Sequence, residues 1–129
     1  DLKLYQAKSV YIGSFTSQAG YELMKTAIAE LGYQLPQAFF VASDAMAVGA
    51  LRALQEAQIP VPGRVQLISF NGTAITKQVY PSLSSISVFT EEMGIQAVDL
   101  IDQMRQNTRP FHPRMIKLGT ELTIRESSL

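Results

Sequence analysis

Short, almost wholly apolar runs alternate along this chain with longer stretches in which apolar residues recur every three or four positions. Runs of the first kind fill residues 10–15, 38–42 and 65–70, whose β-branched and aromatic content predicts strands, and residues 83–88, with three serines among Leu83, Ile86 and Val88, read as a fourth. Stretches of the second kind predict amphipathic helices. Leu23, Met24, Ala27, Ile28 and Leu31 form one stripe; Met46, Ala47, Ala50, Leu51 and Leu54 form the next; Met93, Ala97, Leu100, Ile101 and Met104 form the third. Thr16 or Ser17, Ser43 with Asp44, and Thr90 stand where helix N-caps belong. Gly32 closes the first helix, and Pro60 and Pro62 stop the second because proline cannot continue the hydrogen-bond ladder. Asn71-Gly72 reads as a turn. A loop over residues 106–113 holds Asn107, Arg109 and two prolines, and residues 117–125 (Leu118, Leu122, Ile124) read as a last strand at a sheet edge. Nearly all-apolar strands separated by amphipathic helices predict an α/β fold: a parallel sheet with helices on both faces.

Composition narrows the picture. The 129 residues suit one compact unit, and 47% hydrophobic against 17% charged residues is a globular balance. Eleven basic and eleven acidic side chains cancel, so this chain has no electrostatic footprint for gripping nucleic-acid phosphates. There is no cysteine, which removes disulfides and thiolate chemistry and suits a reducing cytosol. No apolar run approaches the roughly 20 residues of a membrane helix, so no membrane partner is expected. Asp1 is no initiator methionine and no signal segment follows it, so the chain is expected to be a piece of something longer.

Candidate chemistry gathers at predicted strand ends. Phe15, Ser43 and Asn71 fall at equal spacing, about one strand-plus-helix unit apart, so each closes a predicted strand. Ligand crevices of open parallel sheets lie outside the carboxyl ends of the strands. An aromatic face, a hydroxyl, the Asp44 carboxylate and an amide together suit a sugar, whose C–H faces stack on rings and whose hydroxyls pair with planar oxygens. Each has a plainer reading: Ser43 and Asp44 as helix caps, Asn71-Gly72 as a turn, Phe15 as core. Catalysis has little support. The single histidine, His112, sits in a proline-flanked loop, with no nucleophile elbow, clustered metal ligands or phosphate-binding glycine loop elsewhere. No catalytic residue, metal site or cofactor is expected. Glu91 and Glu92 open a helix, where acidic residues complement the dipole.

The segment VASDAMAVGALRAL at 41–54 closely resembles the lactose/galactose repressor (LacI/GalR) family of bacterial transcription regulators, whose wording there is A-N-D-x-M-A-x-G-A-L-R-A-L. IPVPGRVQLISFN at 59–71 resembles the family's I-x-V-P-x-D-V-S-V-x-G-F-D, and PSLSSI at 81–86 its P-P-L-T-T-I. EMGIQA at 92–97, ELTIRES at 121–127 and GSFTSQAGY at 13–21 resemble x-M-G-x-x-A, E-L-I-V-R-x-S and G-x-F-x-x-x-x-G-Y. The resemblance covers essentially the whole chain in one register.

The resemblance implies an effector domain of two subdomains, related in fold to periplasmic sugar-binding proteins. Residues 1–129 would be the C-terminal portion, with the DNA-binding helix-turn-helix and the N-terminal subdomain absent. The helix at 90–106 would cross to that subdomain. Phe15 matches the effector-stacking aromatic, Ser43 the first residue of the N-D pair, Asp44 the second, and Asn71 an effector-binding aspartate. Two are departures: serine for asparagine shortens the reach, and asparagine for aspartate adds a donor. Val48, Leu51, Val79 and Tyr80 match the dimer-facing surface. The implied protein is a cytoplasmic, homodimeric, non-enzymatic repressor. It would bind a small carbohydrate effector and alter the affinity of operator DNA through a domain missing from this chain. A sugar-binding protein of a transport system shares the fold and is the alternative.

Overall fold

The computed structural model describes residues 9–106 and 112–129; the predicted loop at 106–113 lies largely outside them. Three helices and four strands follow in the order α1 (Ser17–Leu31), β1 (Ala38–Phe40), α2 (Asp44–Glu56), β2 (Gln66–Asn71), β3 (Ser84–Ser87), α3 (Thr90–Gln106) and β4 (Glu121–Thr123). The predicted caps of α1 and α2 form, whereas Thr90 is itself the first residue of α3. Thr16 accepts from the Ala19 N–H at 3.1 Å, and Ser43 from the Met46 N–H at 3.2 Å. Gly32, at φ 49°, ends α1 with its N–H on the Ile28 carbonyl.

The sheet runs β1-β2-β3-β4, parallel across the first two pairs and antiparallel between β3 and β4. Its register pairs Phe39 with Leu67, Ser69 with Ser85 and Phe70 with Ile86. Because side chains alternate along a strand, Phe39, Leu67, Ser69 and Ser85 share one face. That face meets α2 and α1, where Leu54, Val65, Leu67 and Leu83 are fully enclosed with Ala47, Ala50 and Leu51 around them. The opposite face carries Phe40, Ile68, Phe70, Ile86 and Leu122. Phe40 remains 62% exposed, edge-on to Phe70 at 6.4 Å between centroids. Among the described residues, then, a helical layer covers one face of the sheet, where the pattern predicted both.

Three further differences have physical causes. Residues 10–15 form no strand: a groove of about 240 Å³ separates Val10 and Tyr11 from Phe39, Phe40 and Val41 of the β1 edge, and a strand exists only by pairing. The last strand shrinks to three residues because only Glu121–Thr123 lies opposite β3. Beyond it the chain hooks back: Arg125 donates to the Leu83 carbonyl at 2.6 Å, and Ser127 donates to the Leu67 carbonyl at 2.6 Å while accepting from the Ser84 N–H. Finally, α3 buries none of its residues; Ile95, Val98 and Ile101 are about half exposed or more, and its Met93 and Leu100 border a groove shared with Ile116 and Leu118.

Helices α1 and α2 cross at a distance only glycine permits. A Cβ on Gly20 would stand 2.0 Å from the Met46 carbonyl oxygen, and one on Gly49 would stand 1.9 Å from that of Ser17. The two glycines thus interlock reciprocally. Above them, the Tyr21 hydroxyl donates to Glu56, which also receives Arg52 Nε at 2.8 Å. Gly49→Ala is expected to force the helices apart and destabilise the fold by about 3 kcal/mol, read from the urea midpoint at unchanged slope.

Candidate effector site

The carboxyl ends of the parallel strands β1, β2 and β3 lie on one rim, and the first residue of α2 organises it. Asp44 is 1% exposed, and both its oxygens are filled. Oδ1 accepts from the hydroxyls of Ser69 at 2.5 Å and Ser85 at 2.7 Å. Oδ2 accepts from the Thr73 backbone N–H at 2.6 Å and its hydroxyl at 2.8 Å. One side chain therefore joins the start of α2, the middle of β2, β3 and the turn after β2. Burial pushes its pKa up, but the donors on Ser69, Thr73 and Ser85 outweigh that and hold the carboxyl below the usual carboxylate range. Its place in the first turn of α2 adds the helix dipole in the same sense.

The turn itself is tightly held. Asn71 sits at φ 112° and Gly72 at φ 73°, and a Cβ on Gly72 would meet the Ser87 hydroxyl at 2.5 Å. The Asn71 carbonyl accepts from Val88 N–H at 3.2 Å, and the Gly72 N–H donates to Ser85 Oγ at 3.1 Å. Asparagine tolerates a positive φ better than most side chains, and the turn reading of Asn71-Gly72 describes its backbone. The residue that carries the amide is nonetheless exposed.

Each predicted site residue has a definite place. Phe15 stands 69% exposed just before the Thr16 cap, outside the Asp44 network. Asn71 is exposed at the end of β2. Ser43 is 4% exposed and spends its oxygen on the α2 cap. Asp44 is enclosed, its carboxylate saturated by internal donors, so it shapes the rim. Leu51 lies at 2% exposure in the core, because it is on the same helical stripe as Ala47 and Leu54. Val48 and Val79 are half-buried, while Tyr80 is 80% exposed, with its carbonyl held by Gln55 at 2.7 Å. His112 is exposed, and no cluster of three metal-ligating side chains occurs among the described residues. No described helix is long and apolar enough to cross a membrane.

Sequence reasoning passed over Ser69, Thr73 and Ser85. The signal was there: Ser69 and Ser85 stand within predicted strand runs, and a buried hydroxyl must find a partner. Asp44→Ala strands the Thr73 N–H and three hydroxyls, and is expected to cost about 3–5 kcal/mol of stability. The pH dependence has a definite sign. With the native pKa below the unfolded one, the contribution of Asp44 is complete above the carboxylate range and disappears as pH falls through the native value. Acid titration followed by circular dichroism should therefore show a smaller acid-side loss for Asp44→Ala than for the wild type.

Residues 1–128 match the family described as periplasmic binding protein-like domain. The chain is similar to the HTH-type transcriptional regulator GalR of Streptococcus thermophilus, 50% identical over 125 residues that make up 97% of this chain and 37% of that protein. Among solved structures, it is similar to the transcriptional regulator CelR in complex with cellobiose, at 30% identity and a TM-score of 0.87, over 96% of this chain and 37% of that one. It is also similar to the lac repressor dimer bound to operator and the anti-inducer ONPF, at 25% identity and a TM-score of 0.81, over 91% of this chain and 40% of that one. The chain spans little more than a third of the length of the curated relatives it matches. With the motifs in register, the fold and these relatives in agreement, the chain belongs to the periplasmic-binding-protein-like family, and regulators of the lactose/galactose repressor (LacI/GalR) type are its relatives.

Proposed function

We propose that this chain is the effector-sensing and dimerisation portion of a cytoplasmic transcription repressor. In this reading it is the C-terminal part of the effector domain, and it catalyses nothing. The observation that carries the proposal is a pair of exposed groups: an aromatic, Phe15, just before the α1 cap, and an amide, Asn71, at the end of β2 beside a turn braced by the saturated buried carboxylate of Asp44. A flat ring and a two-way hydrogen-bonding amide suit a sugar, and a relative of the same fold carries cellobiose. Asn71 offers both a donor and an acceptor, so it fits hydroxyls in either role.

The regulatory step is a population shift. A sugar seated between this rim and a second subdomain favours one closure angle, and two copies related by a two-fold axis pass that angle to their DNA-binding heads. Helix α3 supports this arrangement. Its apolar residues Ile95, Val98 and Ile101 are exposed over 17 residues of helix, as expected of an element that crosses to another subdomain. Val48, Val79 and the exposed Tyr80 form the dimer-facing patch, without Leu51.

Calorimetry of the full-length protein with D-galactose, D-glucose and cellobiose should give saturable binding to at least one; flat titrations with all three overturn the sugar reading. Phe15→Ala is expected to weaken that binding about tenfold, the worth of one stacked face. Tyr80→Asp should shift sedimentation of the full-length protein from dimer toward monomer while leaving the melting temperature within a few degrees.

A further inference from the structure

We infer that Asp44 is the positioning residue of the effector rim, aiming the Asn71 amide from beneath without touching the ligand; the inference rests on the sugar-sensing reading above. Two consecutive peptide groups at the end of β2, joining Asn71 to Gly72 and Gly72 to Thr73, are tethered. The Asn71 carbonyl is held by the Val88 N–H. The next N–H, of Gly72, donates to Ser85 Oγ, whose own proton goes to Asp44 Oδ1. The one after, of Thr73, donates directly to Asp44 Oδ2, with the Thr73 hydroxyl on the same oxygen. Asp44 thus holds one peptide in person and another through Ser85.

The consequence falls on Asn71. Its backbone at φ 112° lies where an unrestrained L-residue seldom stays, and the ladder to β3 before it and the tethers after it keep it there. With the backbone fixed, the exposed amide has only its side-chain torsions left, and its hydrogen bonds fall in one sector of the rim. The brace extends past the rim: the Thr73 carbonyl accepts from the Thr76 hydroxyl at 2.8 Å, and Thr76 Oγ1 receives the Arg125 guanidinium at 3.3 Å. The turn that carries Asn71 is therefore fastened at Asp44 on one side and at the C-terminal hook on the other.

The discriminating variant is Asp44→Asn in the full-length protein. It is expected to fold, because the asparagine oxygen can keep the Thr73 N–H while its NH2 turns toward Ser69 and Ser85, whose hydroxyls can reverse and accept. What it loses is the charge, and charge-assisted bonds are roughly twice as strong as neutral ones. We expect amide exchange at Gly72 and Thr73 to accelerate, and affinity for whichever of D-galactose, D-glucose or cellobiose the wild type binds to fall about tenfold well below the melting temperature. A merely structural Asp44 would lower the melting temperature and leave the affinity of the folded protein unchanged; that result overturns the inference, as does unchanged exchange at both amides. Ser85→Ala provides a second reading, with faster exchange expected at Gly72 and Thr73 kept slow. If the wild type binds none of the three sugars, the sugar reading fails, and the inference stands or falls on the exchange data.

Discussion

A carboxylate without water around it survives only if every lone pair is claimed, and the architecture of this chain is arranged about one such group. Asp44 opens α2 and lies inside the protein, where an unpaired charge would cost several kcal/mol. Its four donors come from β2, from β3 and from the turn between them, so the register of those strands and the seat of α2 are decided together. Slip β2 against β3 by one residue and Ser69 and Ser85 no longer face the same side. The interior is correspondingly divided. Leucines 54, 67 and 83 with Val65 supply the non-directional attraction, while the polar cluster at the rim end supplies direction.

What could be read from the sequence follows the range of each interaction. Helices were legible because their causes are local: Thr16 and Ser43 cap within three residues, and the stripes of α1 and α2 repeat at helical spacing. Strand assignments depended on partners elsewhere in the chain. Residues 38–42, 65–70 and 83–88 found neighbours and became β1, β2 and β3; residues 10–15, equally apolar, lie across a groove from the β1 edge and did not. The rim was legible in part. Asn71 was placed at a strand end and is exposed there; Phe15 was also placed at a strand end, but no strand forms before it; and the Asp44 carboxylate, read as a ligand contact or a cap, is a hub of internal hydrogen bonds. Nothing one-dimensional shows that Ser69, Thr73 and Ser85 converge on a residue at position 44. Leu51 shows the opposite failing, since its own spacing with Ala47 and Leu54 already marked it as core.

The two surfaces left apolar are of different kinds. The sheet face bearing Phe40, Ile68, Phe70, Ile86 and Leu122 is a rigid platform, registered by backbone ladders beneath it. Helix α3 is a single element with no buried residue, and a lone helix of such length is marginal in water. Its local support is modest: acidic Glu91 and Glu92 in the first turn, Arg105 in the last, and the contact of Met93 and Leu100 with Ile116 and Leu118. The platform is made stable within this chain, whereas α3 draws little packing from the described residues.

The positive φ of Asn71 also restricts how this rim can diverge. An L-residue with a branched or bulky side chain is excluded from that backbone, so inheritance can draw there on little more than asparagine, aspartate and glycine. Position 43 is limited in another way, by the need for a small capping oxygen. Phe15 lies on neither constraint: it is exposed, precedes the cap and supports nothing beneath it. Substitution is therefore least restricted at residue 15, while residue 71 is confined to a charge, an amide or no side chain at all.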